Sequence, residues 1–127
     1  MTTQYKPQVE FPLLKEYARV FAITPMTIFA FVDTVYCDYL LPDHLVVHEN
    51  IHLKRQMKIG PDKWVEQYLT DPKFRLNEEV IAYRAQLESI KNREYRNIIR
   101  MESAKHLSSA LYGNIITNAE ALKLLKV

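Results

Sequence analysis

Apolar residues recur at three- and four-residue intervals over most of this chain, the spacing of helices with one buried face. Leu13, Leu14, Tyr17, Val20 and Phe21 predict a helix over Phe11–Phe21, which Ile23-Thr24-Pro25 breaks. The pattern then changes. Thr27–Val32 is β-branched and aromatic and reads as a strand. Asp33-Thr34 is the candidate turn, and Val35–Leu40 returns as a second strand. Helical spacing resumes from His44 to about Lys58, with Pro42-Asp43 as the start, Asp43 as N-cap, and Gly60-Pro61 as the stop. Pro61 opens a short helix through Leu69. Asp71-Pro72 repeats the cap-plus-proline signature, and Asn77 caps a longer helix from Glu78 to about Asn92. A further helical region, continuous with that one or following it, runs to about Tyr112 and ends at Gly113-Asn114. Thr117-x-x-Glu120 is a capping box for a last helix through Leu125. The fold class expected is mainly α with a small β region (α+β).

Length and charge narrow the picture. The 127 residues predict one domain, 1–127, and 48% hydrophobic residues suffice for a core. The 17 basic and 15 acidic residues nearly balance and do not collect in a block, so no nucleic-acid partner is expected. Arg93, Arg96 and Arg100 alternate with Glu94 and Glu102, as on a solvated helix face. Cys37 is the single cysteine, so an intramolecular disulfide is impossible. The longest uncharged stretch, Val20–Val32, is too short to span a bilayer. With no basic segment leading into an apolar core at the N-terminus, a cytoplasmic location is expected.

The candidate chemistry lies in His48-Glu49-Asn50-Ile51-His52, an H-E-x-x-H pattern inside the expected metal helix. Four residues of helix rise roughly 6 Å and turn a little more than once, so both imidazoles leave one face. Glu49 stands beside the first histidine, placed to work on a water rather than to bind the ion. His44 extends the series, but it would lie about 12 Å from His52 along the axis, too far for one ion to reach both. It reads as an exposed first-turn residue. A catalytic zinc needs a third protein ligand. Glu79 leads, because Ala82 and Tyr83 share its helix face and a small residue there admits a close neighbour. Glu78, Glu66 and His106 are its rivals, and Glu78 reads more simply as a first-turn acid favoured by the helix dipole.

Leu41-Pro42-x-x-Leu45-Val46-Val47-His48-Glu49-x-x-His52, followed after 26 residues by Glu79-x-x-Ala82, resembles zincin metallopeptidases of the gluzincin type. It is most similar to the minimal, uncharacterised versions found in bacteria and their phages. The resemblance covers about residues 27–86 and implies a zincin-like minimal metallopeptidase domain with its metal-site core at about 27–92. It implies Zn2+ on His48, His52 and Glu79, with Glu49 as catalytic base. The activity expected is hydrolysis of a peptide bond in a peptide or protein substrate by a zinc-activated water. The competing expectation is a catalytically silent structural or regulatory protein with bound zinc. Residues 93–127 carry no resemblance.

Further residues could serve that chemistry. Tyr83, Tyr112 and His106 are candidate donors to a tetrahedral oxyanion. Gln56, four residues after His52, is either an outer-shell partner of a ligand or a surface amide. Thr27–Val32 is a strand on which an extended peptide could pair. Trp64, Tyr68 and Phe74 read as core first and as a pocket wall second.

Overall fold

Residues with strong local preferences divide the second half of the chain. Gly60, at φ 107°, ends helix α2 (Asp43–Ile59), and Pro61 starts helix α3 (Pro61–Thr70) directly after it. The Asp71 carboxylate accepts from the Lys73 and Phe74 amides and starts helix α4 (Pro72–Glu88). Asn92 accepts from the Tyr95 amide and starts helix α5 (Arg93–Leu107). The Thr117–Glu120 capping box forms as expected and opens helix α6 (Asn118–Leu124). The computed structural model describes residues 2–109 and 112–127.

The N-terminal half holds the small β region. Strands β1 (Gln4–Lys6), β2 (Phe29–Phe31) and β3 (Thr34–Tyr36) form a sheet in the order β1-β3-β2, with helix α1 (Leu14–Ala18) between the first two in sequence. Strands β2 and β3 are an antiparallel hairpin, while β1 runs parallel to β3 with Tyr5 opposite Val35. Strand β2 is therefore an edge. Among the described residues, no helix is long and apolar enough to cross a membrane.

Several boundaries differ from the sequence expectation. Helix α4 begins at Pro72 and not at Glu78, because Asp71 caps it and proline at the first position is already set for helix; Asn77 lies inside. Helices α4 and α5 are separate, since the Arg96 guanidinium takes up the Ile90 and Lys91 carbonyls at the break. Arg100 likewise bonds the Leu122 carbonyl on α6. Two arginines of the expected solvated face thus tie helix ends together. Helix α5 stops at Leu107; the stretch expected to continue it includes Ala110 and Leu111, which lie outside the described residues. Asp43 is the first helical residue of α2, and Pro42 takes the cap position. Helix α1 covers only the middle of the expected Phe11–Phe21, with a 3-10 turn at Gln8–Glu10 before it. Strand β1 has no counterpart in the sequence pattern.

Three groups of buried side chains hold these elements. Phe11, Tyr17, Phe29, Tyr36, Trp64, Val65 and Tyr68 form an aromatic core under one face of the sheet. Val35, Leu41 and Leu53 join the other face to α2. Tyr83, Leu87, Ala104, Leu107, Ala121 and Leu125 bind α4, α5 and α6, which gives residues 93–127 the task of covering α4. Helices α2 and α4 pack directly on each other, with Ala82 fully buried.

Candidate metal centre

Helix α2 sends His48 and His52 from one face, and α4 sends Glu79 to meet them. His48 Nε2 is 3.1 Å from Glu79 Oε1, and His52 Nε2 is 3.0 Å from Glu79 Oε2. The two Nε2 atoms are 3.2 Å apart. All three residues are buried, and this group could hold a metal ion. Ligand bonds of about 2.0–2.1 Å at tetrahedral angles place donor atoms about 3.3 Å from one another. The Nε2–Nε2 distance is close to one edge of such a polyhedron, while each imidazole meets a different oxygen of Glu79. Two imidazole nitrogens and a carboxylate also suit zinc and its first-row neighbours by donor type. Burial works to raise the Glu79 carboxyl, but charge and hydrogen bonds from His52 and His48 together hold it well below the usual carboxylate range. It stays an anion, as a ligand must.

Glu49 is buried and near this group without joining it. Its Oε2 lies 3.9 Å from His48 Nε2. Burial, opposed by His48 and reinforced by the Glu79 charge, pushes its carboxyl up to about 7. A carboxylate in that range is suited to taking and returning a proton near neutral pH.

Residues that the sequence pattern does not single out as ligand partners fix the three candidate ligands. Tyr68 donates to Glu79 Oε2 at 2.7 Å. Gln86 lies two helical turns beyond Glu79, and its Oε1 is 2.8 Å from His48 Nδ1. Gln86 Nε2 is 2.8 Å from His44 Nδ1, and His44 Nε2 is 2.9 Å from the Tyr95 hydroxyl. One proton order satisfies the chain. With His48 Nε2 turned to an ion, Nδ1–H donates to Gln86, which donates to His44, which donates to Tyr95. Burial and the nearby His48 lower the His44 pKa, which suits a neutral acceptor. His44 is thus a half-buried relay member and not the exposed first-turn residue expected. The seven-residue interval from Glu79 to Gln86 is the signal the sequence offers for this role. Among the described residues, His52 Nδ1 has no hydrogen-bond partner; its ring is held by packing against Trp64, centroids 5.5 Å apart. Gln86→Leu is expected to weaken metal binding by about 10–100-fold, as measured against a competing chelator. Unchanged affinity would show that the relay does not orient His48.

Glu78 also departs from expectation. It is fully buried, paired with Arg55 through two bonds of 3.1 and 2.9 Å, and accepts from Trp64 Nε1 at 2.8 Å. It locks α4 to α2 and α3 and so sets the position of its neighbour Glu79. Gln56 is fully buried and bonds the hairpin backbone, so it is neither a ligand's partner nor a surface amide. Glu66 and His106, which the sequence allows as a third ligand, are not in the group.

The centre opens into a cleft of about 460 Å³ between β2, the segment before it, and α2–α5. His48, Glu49, His52 and Glu79 line it; Trp64 and Tyr68 belong to its lining as well as to the core. Phe74 packs beside that core, edge-on to Trp64. Tyr83, His106 and Tyr112 also reach the cleft. The Tyr83 hydroxyl is 2.6 Å from His106 Nδ1, and the Tyr83 ring lies edge-on to His48 with centroids 4.5 Å apart. Comparison with known proteins found no matching family, curated protein or solved structure.

Proposed function

We propose that this protein is a zinc-dependent peptidase of zincin-like architecture. The observation that carries the reading is a set of three buried ligands opening into a cleft, with a buried carboxylate beside them that is not a ligand. A structural zinc is usually closed by four side chains; among the described residues no fourth His, Cys, Asp or Glu joins this group. Zinc, when bound, supplies a Lewis acid that makes water acidic near neutral pH and polarises a carbonyl. His48, His52 and Glu79 would hold it.

The chain's own residues supply the rest. Glu49 takes a proton from the attacking water on its carboxylate and returns it to the leaving amine. Burial holds the Tyr83 phenol well above its ordinary pKa, so it stays protonated and donates to His106 Nδ1. Partial desolvation of the otherwise exposed His106 ring lowers its pKa, which favours the neutral form. His106 Nε2 then carries the proton and is the donor best placed by chemistry to meet a developing oxyanion. The substrate is an extended peptide laid along the edge of β2, where Phe29 and Ala30 and the preceding Ile28 line the cleft.

The test joins metal content to hydrolysis. Purified protein should carry about one zinc per chain, and His48→Ala with His52→Ala should carry none. Wild type should cleave members of a mixed peptide library, and a chelator should stop it. Stoichiometric zinc in the double variant would overturn the site. Zinc without chelator-sensitive cleavage of any peptide would favour a protein that uses the metal for stability.

A further inference from the structure

A side-chain amide offers one acceptor and a donor much as a peptide group does, and Gln56 uses both against a strand edge. Gln56 Nε2 donates to the Ala30 carbonyl at 2.7 Å, and Gln56 Oε1 accepts from the Val32 amide at 2.9 Å. Gln56 sits on α2 one turn beyond His52 and is fully buried. Strand β2 has β3 on one side only. Phe31 and Thr34 face each other across the two-residue turn Val32-Asp33, and Ala30 faces Val35. Backbone groups alternate in direction along a strand, so Phe29 and Phe31 bond β3 while Ile28 and Ala30 point to the open side. Gln56 therefore occupies the position that the next strand's backbone would take, but only over the second half of the edge. The Thr27 carbonyl, bonded by Gln8 at 2.9 Å, belongs to the inward set, as the alternation requires.

We propose that Gln56 is a specificity-determining residue that blocks part of the β2 edge and so fixes the register of an extended substrate. The proposal rests on the peptidase reading above. Among the described residues none bonds the Ile28 N–H and C=O or the Ala30 N–H, so a peptide entering the cleft finds these three groups open and nothing beyond. Pairing one residue pair further would need the two groups that Gln56 already holds. The stop is rigid because Gln56 also clamps the turn. Val32 has φ 59°, which is costly for a β-branched residue, and its amide is bonded by Gln56. Since Gln56 and His52 share α2, the stop lies at a set distance from the metal ligands. The cleft wall at Phe21, Met26, Ile28, Tyr39 and Leu45 favours apolar substrate side chains.

Amide hydrogen exchange on the zinc-loaded protein tests this, alone and with the extended probe acetyl-Leu-Ala-Leu hydroxamate. In the free protein the Val32 amide should be protected by about 100-fold or more while Ala30 exchanges freely. The probe should slow Ala30 by about tenfold or more and leave Val32 unchanged. In Gln56→Met, Val32 should lose its protection in the free protein and regain it with the probe, because pairing can now extend. A bound probe that leaves Ala30 unprotected would overturn the proposal. So would a Gln56→Met protein whose Val32 stays open when the probe binds, since Gln56 would then be a brace and not a stop. If Gln56→Met fails to fold, the wild-type pattern at Ala30 and Val32 decides. A zinc-loaded protein that does not bind the hydroxamate at all would sink the peptidase reading, and this proposal with it. Rapid Val32 exchange in the free wild type would remove the Gln56 contact alone.

Discussion

Glu49→Gln will bind one zinc per chain, melt close to wild type and hydrolyse no peptide at a measurable rate. Glutamine has the same shape as glutamate and lacks only the proton acceptor. Glu49 lies 3.9 Å from His48 Nε2 and outside the three-residue ligand group, so its loss leaves the donor set complete. The side chain is buried, and burial outweighs the nearby His48 in pushing its carboxyl up to about 7, so its charged form is already disfavoured and a neutral amide of the same shape should be tolerated. A positioned general base contributes about 10²–10⁴-fold to a rate. Zinc content, thermal melting and cleavage of the most sensitive library peptide, measured together, check the prediction. Zinc loss in Glu49→Gln would make Glu49 a ligand. Full activity with zinc retained would end its role as base and leave the metal a stabiliser.

The helix that brings His48 and His52 together is legible in the sequence because its information is local. Four residues of spacing decide whether two imidazoles meet, and no partner element changes that. Glu79 is legible from Ala82 one turn on. The capping box at Thr117 is legible for the same reason. The start of α4 is not, because Asp71 and Asn77 both offer a local cap signature, and the structure forms the capping bonds at Asp71. What the sequence hides depends on contacts distant along the chain. Strand β1 pairs through Gln4–Lys6 with Thr34–Tyr36, and its 3-residue length leaves no periodicity to read. Gln56, Gln86 and Glu78 are polar residues on helix faces, and local pattern assigns such residues to solvent. Each is buried because a specific partner on another element satisfies it: the hairpin backbone, His48, and Arg55 with Trp64.

Three of the buried polar residues of helix α4 therefore have separate tasks. Glu79 faces the histidines, Gln86 orients one of them, and Glu78 fastens the helix. Its polar face packs on α2, so the usual apolar stripe is replaced by a matched set of charges and amides. Such a face is specific because each group, left alone, would carry the cost of an unpaired buried polar atom.

Glu79→Ala and Glu78→Ala should separate these tasks on two independent axes. Glu79→Ala removes one of the three proposed ligands and should lower zinc affinity by more than the roughly 100-fold typical of an outer-shell partner. Glu78→Ala should act on the fold instead. It strips a fully buried carboxylate from Arg55 and Trp64, leaving the indole N–H without its acceptor. Breaking a fully buried ion pair costs about 3–5 kcal/mol. Here the Arg55 side chain keeps 28% of its exposure and can turn to water. Roughly 2–3 kcal/mol is expected, read as a lower urea midpoint of the metal-free protein. Zinc affinity measured by chelator competition on the folded fraction should fall less for Glu78→Ala than for Glu79→Ala. Equal losses of affinity would mean that the two neighbours are not a ligand and an anchor, because an anchor acts on the metal only through the helix it holds. A Glu79→Ala protein that binds zinc like wild type would require a different third ligand altogether.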